Sequence, residues 1–286
     1  MKKSRILTIV IIVLAVAVAA AVIISAGGKS GGTLSFTVTD AKDADAIIFT
    51  SPKGDTMVVD TGLAENYDSL RAKLKARGVG QIATLIITHG HKDHIGGAYM
   101  LLKEFDVKSL VTIESPYSSE EKTLAIAMAN EKYVPITYVK DGDTIDFSGI
   151  KLSVLNPPVP NVFSGDENNS SIVFRFTYGS KSFLFMGDAE KTADKELVNR
   201  YGKALASDFI KIGNHADKDS TSKALLSAVD PKFAVISGDP SDDADHVNSA
   251  VIDRIEKQTS AKIFRTDTFG DINVKCDGSS ITITKG

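Results

Sequence analysis

A chain of 286 residues with 43% hydrophobic content has ample material for a buried core, which excludes disorder over most of its length. Lys and Arg total 33 against 36 Asp and Glu, but Lys2, Lys3, Arg5 and Lys29 fall in the acid-free first thirty residues; residues 31–286 therefore hold 29 bases against 36 acids, a balance of −7 that disfavours non-specific duplex binding. Cys276 is the only cysteine, which excludes an intramolecular disulfide and a Cys-rich metal site.

The chain opens on a basic pentapeptide, Met1–Arg5, followed by an apolar run of 21 residues from Ile6 to Ala26, interrupted by Thr8 and Ser25. That length suits a bilayer-spanning helix of about 20 residues better than the shorter apolar region of a signal peptide. Residues 1–27 are therefore expected to be an N-terminal transmembrane anchor, with a signal segment cleaved near Ser25, Ala26 and Gly27 as the alternative. Lys2, Lys3 and Arg5 would stay in the cytoplasm, giving a single-pass cell-membrane protein with an extracellular C-terminal domain, or a secreted one after cleavage. Gly28-Lys29-Ser30 is not the end of a phosphate-binding loop, because the required first glycine falls at Ile23. Residues 28–32 read as a linker and 33–286 as one folded domain.

Strands are predicted at Leu34–Val38, Ala46–Thr50 and Thr56–Asp60, where apolar and β-branched residues are bounded by Pro52-Lys53-Gly54 and Thr61-Gly62. Leu70 and Leu74 share a helical face, and Gly78 stops that helix. Ile82–Thr88 is a nearly unbroken apolar run, as expected of a strand covered on both faces. Further on, Ile172–Thr177 and Ser182–Met186 predict a hairpin around Tyr178-Gly179-Ser180. Helix, strand and helix follow at Ala189–Arg200, Asp208–Ile212 and Ser220–Val229. A strand at Phe233–Ser237, a helix at Val247–Gln258, a strand at Lys262–Arg265 and a hairpin over Asp271–Thr284 close the chain. Two sheets with external helices, in one layered α/β domain, fit this order.

Chemistry concentrates in Thr88-His89-Gly90-His91-Lys92-Asp93-His94-Ile95-Gly96-Gly97, between a buried strand and a helix. Residues two apart in an extended turn project the same way, so His89 and His91 can share one metal. At the helix start Asp93 and His94 can face a second, while Gly96 and Gly97 permit close backbone approach. Imidazole and carboxylate ligands suit Zn²⁺, with Mn²⁺ or Fe as alternatives for a mixed N/O site.

His-x-His-x-Asp-His with Gly-Gly behind it, and Met57-Val58-Val59-Asp60-Thr61-Gly62 ahead of it, resembles the metallo-β-lactamase superfamily. The resemblance implies a four-layer αββα sandwich with two metals, most simply two Zn²⁺, at one edge, and Asp60 as a group that fixes the tautomer of a ligand histidine. Asn168-Asn169-Ser170-Ser171-Ile172-Val173, Phe185-Met186-Gly187-Asp188-Ala189, Lys211-Ile212-Gly213-Asn214-His215 and Phe264-Arg265-Thr266-Asp267 narrow it. Together they resemble the C-terminal hydrolase domain of the ComEC family of competence proteins, and also secreted phosphorylcholine esterases, over about residues 33–284. The resemblance makes Asp188 the carboxylate bridging both metals, although a Gly-Asp after a strand is by itself an ordinary helix cap. It makes His215 a ligand of the second metal, beside Asp93, His94 and Asp188, with His89 and His91 on the first. His246 falls where a substrate-facing histidine is expected, with helix capping as the alternative. Asp93, Asp188 and His246 are thus the expected catalytic groups, and Asp60, Asn168, Asn169 and Asn214 the expected supporting or substrate-contacting ones.

The pattern is incomplete, since no histidine lies between His94 and His215 to act as the third ligand of the first metal. Asn168, Asn169, Asp166 or water are the candidates for that place. Asn214 stands where the resemblance implies a histidine, and Ala216-Asp217 where it implies Gly-Ser. The expected activity is metal-assisted hydrolysis of a phosphodiester, in extracellular nucleic acid or a cell-wall polymer, with a metal-bridging hydroxide as nucleophile. The alternatives are hydrolysis of a β-lactam, lactone or thioester, and a non-catalytic competence-related binding protein.

Overall fold

The computed structural model describes residues 31–163, 165–241, 243 and 245–286. The expected membrane span at Ile6–Ala26 lies outside them, and among the described residues no helix is long and apolar enough to cross a membrane.

The chain enters through β1 (Leu34–Val38), β2 (Ala46–Thr50) and β3 (Thr56–Thr61), an antiparallel meander buried nearly throughout. Helix α1 (Tyr67–Ala76) turns Tyr67, Leu70 and Leu74 inward and ends as predicted before Gly78, whose φ of 69° is the left-handed value glycine adopts readily. The apolar run that follows is not one strand. Gln81–Ile82 forms β4, and Thr84–Ile86 forms β5, parallel to β3. At Ala83, whose N–H donates to the Thr56 carbonyl, the chain changes partners. A buried apolar run reads the same whichever neighbour it pairs with, so periodicity could not show this break.

Helices α2 (Lys92–Ile95) and α3 (Ala98–Glu104) then lead to β6 (Asp106–Val107), which pairs with β4, and β7 (Leu110–Thr112), which pairs with β5. Helix α4 (Glu120–Glu131), capped by the Ser119 hydroxyl, precedes β8 (Ile136–Tyr138), β9 (Thr144–Phe147) and β10 (Ile150–Asn156). The expected hairpin is β11 (Val173–Tyr178) with β12 (Lys181–Phe185). Helix α5 (Lys191–Tyr201), β13 (Phe209–Lys211), α6 (Lys223–Val229), β14 (Phe233–Ile236), α7 (Ser249–Gln258) and β15 (Lys262–Arg265) alternate to build parallel pairs. A short α8 (Thr266–Phe269) precedes the closing hairpin of β16 (Ile272–Cys276) and β17 (Ile281–Lys285).

The first sheet has the order β17-β16-β1-β2-β3-β5-β7-β8 and the second β15-β14-β13-β12-β11-β10-β9. Their inner faces meet in an aromatic layer, with Phe36 on Phe49 at 4.8 Å and Phe174 on Phe185 at 4.9 Å between ring centroids. Helices α1, α3 and α4 cover the outer face of the first sheet, and α5, α6 and α7 that of the second. The result is the expected four-layer αββα sandwich, with strands β3, β5, β12 and β13 ending at one common edge.

Candidate metal centre

At that edge Asp60, one residue before the end of β3, is held at a φ of 57°, with its carboxylate turned back under the β5 loop. Asp60 Oδ1 accepts from the Thr88 N–H at 2.8 Å, and Oδ2 from the Thr88 hydroxyl at 2.7 Å. Asp60 Oδ2 also meets His94 Nδ1 at 2.8 Å, which leaves His94 Nε2 facing the cleft. Beyond β5 the chain bends at His89 and Gly90 and is extended at His91, and His89 Nε2 lies 3.1 Å from His91 Nδ1. The chain then coils into α2, which presents Asp93 and His94. A Cβ on Gly96 would stand 2.4 Å from the Lys92 carbonyl and 2.6 Å from the Ala64 nitrogen, so only glycine lets α2 sit this close to β3.

The second sheet supplies Asp188, just past β12, and His215, just past β13. Asn214, His215 and Ala216 all have positive φ, at 43°, 49° and 60°. Left-handed backbone costs a non-glycine residue roughly 1–2 kcal/mol, and the hydrogen bond from His215 Nδ1 to the Ser237 carbonyl at 3.2 Å helps hold it. That bond fixes the tautomer and turns Nε2 to the cleft.

One oxygen of Asp188 sits at the centre. Its Oδ2 is 3.0 Å from His94 Nε2, 3.6 Å from His89 Nε2 and 3.8 Å from His215 Nε2. Asp188 Oδ1 is buried with no hydrogen-bond partner. Asp93 Oδ2 lies 3.2 Å from His215 Nε2 and 3.3 Å from His94 Nε2. Asp93, His94, Asp188 and His215 each offer a ligand atom, all within 4.8 Å of one another. The electrostatics match this geometry. Burial opposes protonation of His94, yet Asp188, Asp60 and Asp93 together hold its pKa well above that of free imidazole. His215 is likewise opposed by burial, but Asp188, Asp93 and Asp45 carry it to about 9. His89, pressed by burial and by His94, falls to about 3 and is neutral, a lone pair ready for a cation. Buried carboxylates that draw protons onto adjacent imidazoles, with one carboxylate oxygen orphaned, form a cavity that calls for positive charge. The nitrogen and oxygen donor set fits a divalent cation of the zinc, manganese or iron kind.

The remaining expected residues lie further out. Asn168 and Asn214 each donate to Glu190 Oε1 at 2.9 Å. Asn169 donates to Asp166 at 2.7 Å and accepts from the Glu190 and Ala193 N–H groups, fastening the start of α5. The carboxamide of Asn169 is thus engaged by its own loop and by the start of α5, while His89 Nδ1 faces the Ser171 and Thr88 hydroxyls at 3.3 and 3.2 Å. His246 Nδ1 is 2.7 Å from both oxygens of Asp43, and its ring lies 4.8 Å from that of His215.

Several groups were not foreseen. Glu167 accepts from the N–H of Gly90, between His89 and His91, at 2.8 Å, and also receives the Ser115 hydroxyl. Glu190 gathers the three asparagines, and Asp43 holds His246. Asp45 and Lys211 form an ion pair beneath the cleft. Only Lys211 left a sequence signal, as a lone charge in the apolar strand Phe209-Ile210-Lys211-Ile212.

A two-sheet sandwich with a buried His/Asp cluster at one edge is the architecture of a superfamily of metal-dependent hydrolases. A family model for the metallo-beta-lactamase superfamily matches residues 40–238, and the chain belongs to that superfamily. It is 33% identical over 202 residues to ComE operon protein 3 of Bacillus subtilis (strain 168), covering 71% of this chain and 26% of that protein. It is 27% identical over 217 residues to competence protein ComA of Neisseria gonorrhoeae, covering 75% of this chain and 28% of that one. The chain thus spans about a quarter of the length of these curated relatives. Among solved structures, the diiron β-hydroxylase CmlA from Streptomyces venezuelae aligns over 86% of this chain and 54% of its own, at a TM-score of 0.57 and 16% identity. The metallo-β-lactamase fold protein YhfI from Bacillus subtilis aligns over 81% of this chain and 96% of its own, at a TM-score of 0.51 and 11% identity. These two likenesses concern the fold alone.

Proposed function

We propose that this chain hydrolyses a phosphodiester, in nucleic acid or a cell-wall polymer, outside the cytoplasm and tethered to the membrane through Ile6–Ala26. The observation that carries the proposal is the position of Asp188 Oδ2, within reach of His89 on one side and of His94 and His215 on the other, with Oδ1 free of other partners. A carboxylate so shared suits two cations close together. His89, His91 and Asp188 would hold the first, and Asp93, His94, Asp188 and His215 the second. Such a pair, when bound, supplies Lewis acidity and an activated water for attack on phosphorus.

The chain's own residues do the rest. Asp60 locks the His94 ring so that Nε2 faces inward, and the Ser237 carbonyl does the same for His215. In this reading Asp188 would also accept a proton from the attacking water. Asp43 clamps His246 through Nδ1–H, so that Nε2 would donate to the departing oxygen when the ring carries its second proton. The competence-protein relatives support a nucleic-acid substrate.

The test uses the full-length chain loaded with Zn²⁺ or Mn²⁺, assayed against bis(4-nitrophenyl) phosphate, 4-nitrophenyl phosphate, single-stranded and duplex DNA, a chromogenic β-lactam and a thioester. Diester turnover well above monoester turnover is expected. Turnover confined to the β-lactam or thioester would assign the centre to acyl substrates, and no turnover of any kind would leave a binding protein. Protease added to intact, wall-stripped cells checks topology: digestion of the folded domain is expected, and full protection until lysis would contradict it.

A further inference from the structure

Beneath the second half of the centre lies an ion pair that the hydrolytic chemistry does not use. Lys211 is 1% exposed and Asp45 2%, and Lys211 Nζ lies 2.8 Å from Asp45 Oδ2. The lysine's other contact is the Ile212 carbonyl at 3.1 Å. Desolvating two charges costs several kcal/mol per ion, and an apolar pair of similar volume is often as stable. Stability alone therefore does not account for a charged pair here.

The contacts of Asp45 suggest what does. Its N–H donates to the carbonyl of Asp93 at 3.1 Å. Its carbonyl accepts from Gly62 at 2.8 Å, directly after the Asp60-Thr61 turn that orients His94. Its Oδ1 receives the Ser237 hydroxyl, and the carbonyl of that same serine receives His215 Nδ1. One residue of the β1–β2 loop thus touches the backbone of Asp93, the turn behind His94 and the residue holding His215. Lys211 occupies Oδ2, so Oδ1 is left to Ser237, and Lys211 reaches across from the second sheet. The pair spans the two sheets at the place where ligands from both must meet.

We infer that the Asp45–Lys211 pair is a positioning device that sets Asp93 and His215 at the spacing a cation needs; this rests on reading those two residues as metal ligands. Asp45 and Lys211 lie outside the set Asp93, His94, Asp188 and His215. They act through Ser237, through the backbone of Asp93 and through Asp45 Oδ1, 4.0 Å from His215 Nδ1.

The experiment compares Zn²⁺ binding by full-length metal-free protein, measured by competition with a chromophoric chelator, with thermal unfolding of the same samples. Asp45→Leu/Lys211→Met replaces the pair by apolar residues and leaves no buried charge unpaired. It is expected to unfold within a few degrees of the parent while binding its tightest Zn²⁺ at least tenfold more weakly. Ser237→Ala keeps the ion pair but removes the hydroxyl that ties Asp45 to the residue holding His215, and a smaller loss, about threefold or more, is expected. Parental affinity in a folded double variant overturns the inference; if that variant does not fold, parental affinity in Ser237→Ala does so. Failure of the parent itself to bind Zn²⁺ would instead remove the metal-centre reading on which the inference rests.

Discussion

The two sides of the centre are built to different depths. On the second side Asp93, His94, Asp188 and His215 converge within 4.8 Å, and each histidine has its other nitrogen tied to a protein acceptor, Asp60 or the Ser237 carbonyl. On the first side His89 Nε2 meets His91 and the shared Asp188 oxygen, the His91 ring stands edge-on to Tyr117, and His89 Nδ1 faces hydroxyls at 3.2 and 3.3 Å. A ligand histidine gains basicity from a carboxylate or carbonyl behind it, so affinity should follow these outer partners as well as ligand number. The comparison teaches that the donor cluster is graded: one half is well supported, and the other leans on the shared carboxylate.

The largest expected effect comes from removing what the two sides share. Asp188→Asn keeps the shape but takes away the charge between them, and hydrolysis should fall about 10³-fold or more. The fold should survive, as judged by circular dichroism, and two-metal stoichiometry should be lost. Near-normal turnover with two tightly bound metals would show that Asp188 does not bridge.

Next comes the grading itself. Stepwise dialysis of loaded protein against a mild chelator, followed by elemental analysis, should pass through a one-metal species, with roughly tenfold or greater separation between the two affinities. Loss of both metals in one step would remove the distinction between the sides. Asp60→Asn weakens the partner behind His94 and should lower the tighter affinity about 10- to 100-fold; an unchanged value would mean that the outer partner contributes nothing.

His246→Ala addresses a group placed against His215 but outside the ligand set. It should lower turnover about 10²-fold with metal content intact, and Asp43→Asn should lower it less. A parallel loss of metal would make His246 part of the centre.

The smallest effect sharpens the contrast through a buried carboxylate elsewhere. Asp194, on α5, is as buried as Asp188 but has no histidines around it; burial pushes its pKa up to about 7, against only partial relief from the Ser222 N–H at 2.6 Å. Asp188 is buried too, yet His94 and His215 hold its pKa far below the usual carboxylate range. The folded state thus keeps a proton on Asp194 up to about pH 7 that the unfolded chain releases near 3.8. Stability from this group is full at low pH and is lost as pH rises across that window. Asp194→Asn should flatten that decline, with a Tm gain at pH 8 and none at pH 4. An equal shift at both pH values would show that Asp194 is charged in the fold.

What could be read from the chain alone was local. His89, His91, Asp93 and His94 fall within six residues, so their spacing on an extended turn and a helix start already implies convergence. Asp188 and His215 were found through resemblance, as residues just beyond strands, and the edge where those strands end brings them to the cluster. The alternating and continuous apolar runs located most strands near their observed limits, because burial writes its period into neighbouring residues.

Between residues 98 and 138 that signal fades, whereas β9 and β10, absent from the predicted elements, do alternate buried and exposed side chains over Thr144–Phe147 and from Ile150 to Val154. Strands β7 and β8 have three residues each, and α4 packs alanines and Met128 where larger apolar groups would mark a face. The tertiary structure alone decided which partners the strands chose: β4 leaving the main sheet at Ala83, and β16 returning to β1 from the far end of the chain. It alone brought Asp43 to His246, Glu167 to Gly90 and Asp45 to Lys211, pairs separated by 203, 77 and 166 positions. An Asp in a loop looks the same whether it faces water or a buried lysine. Its partner is chosen by the packing of two sheets, and no spacing within one segment records that choice.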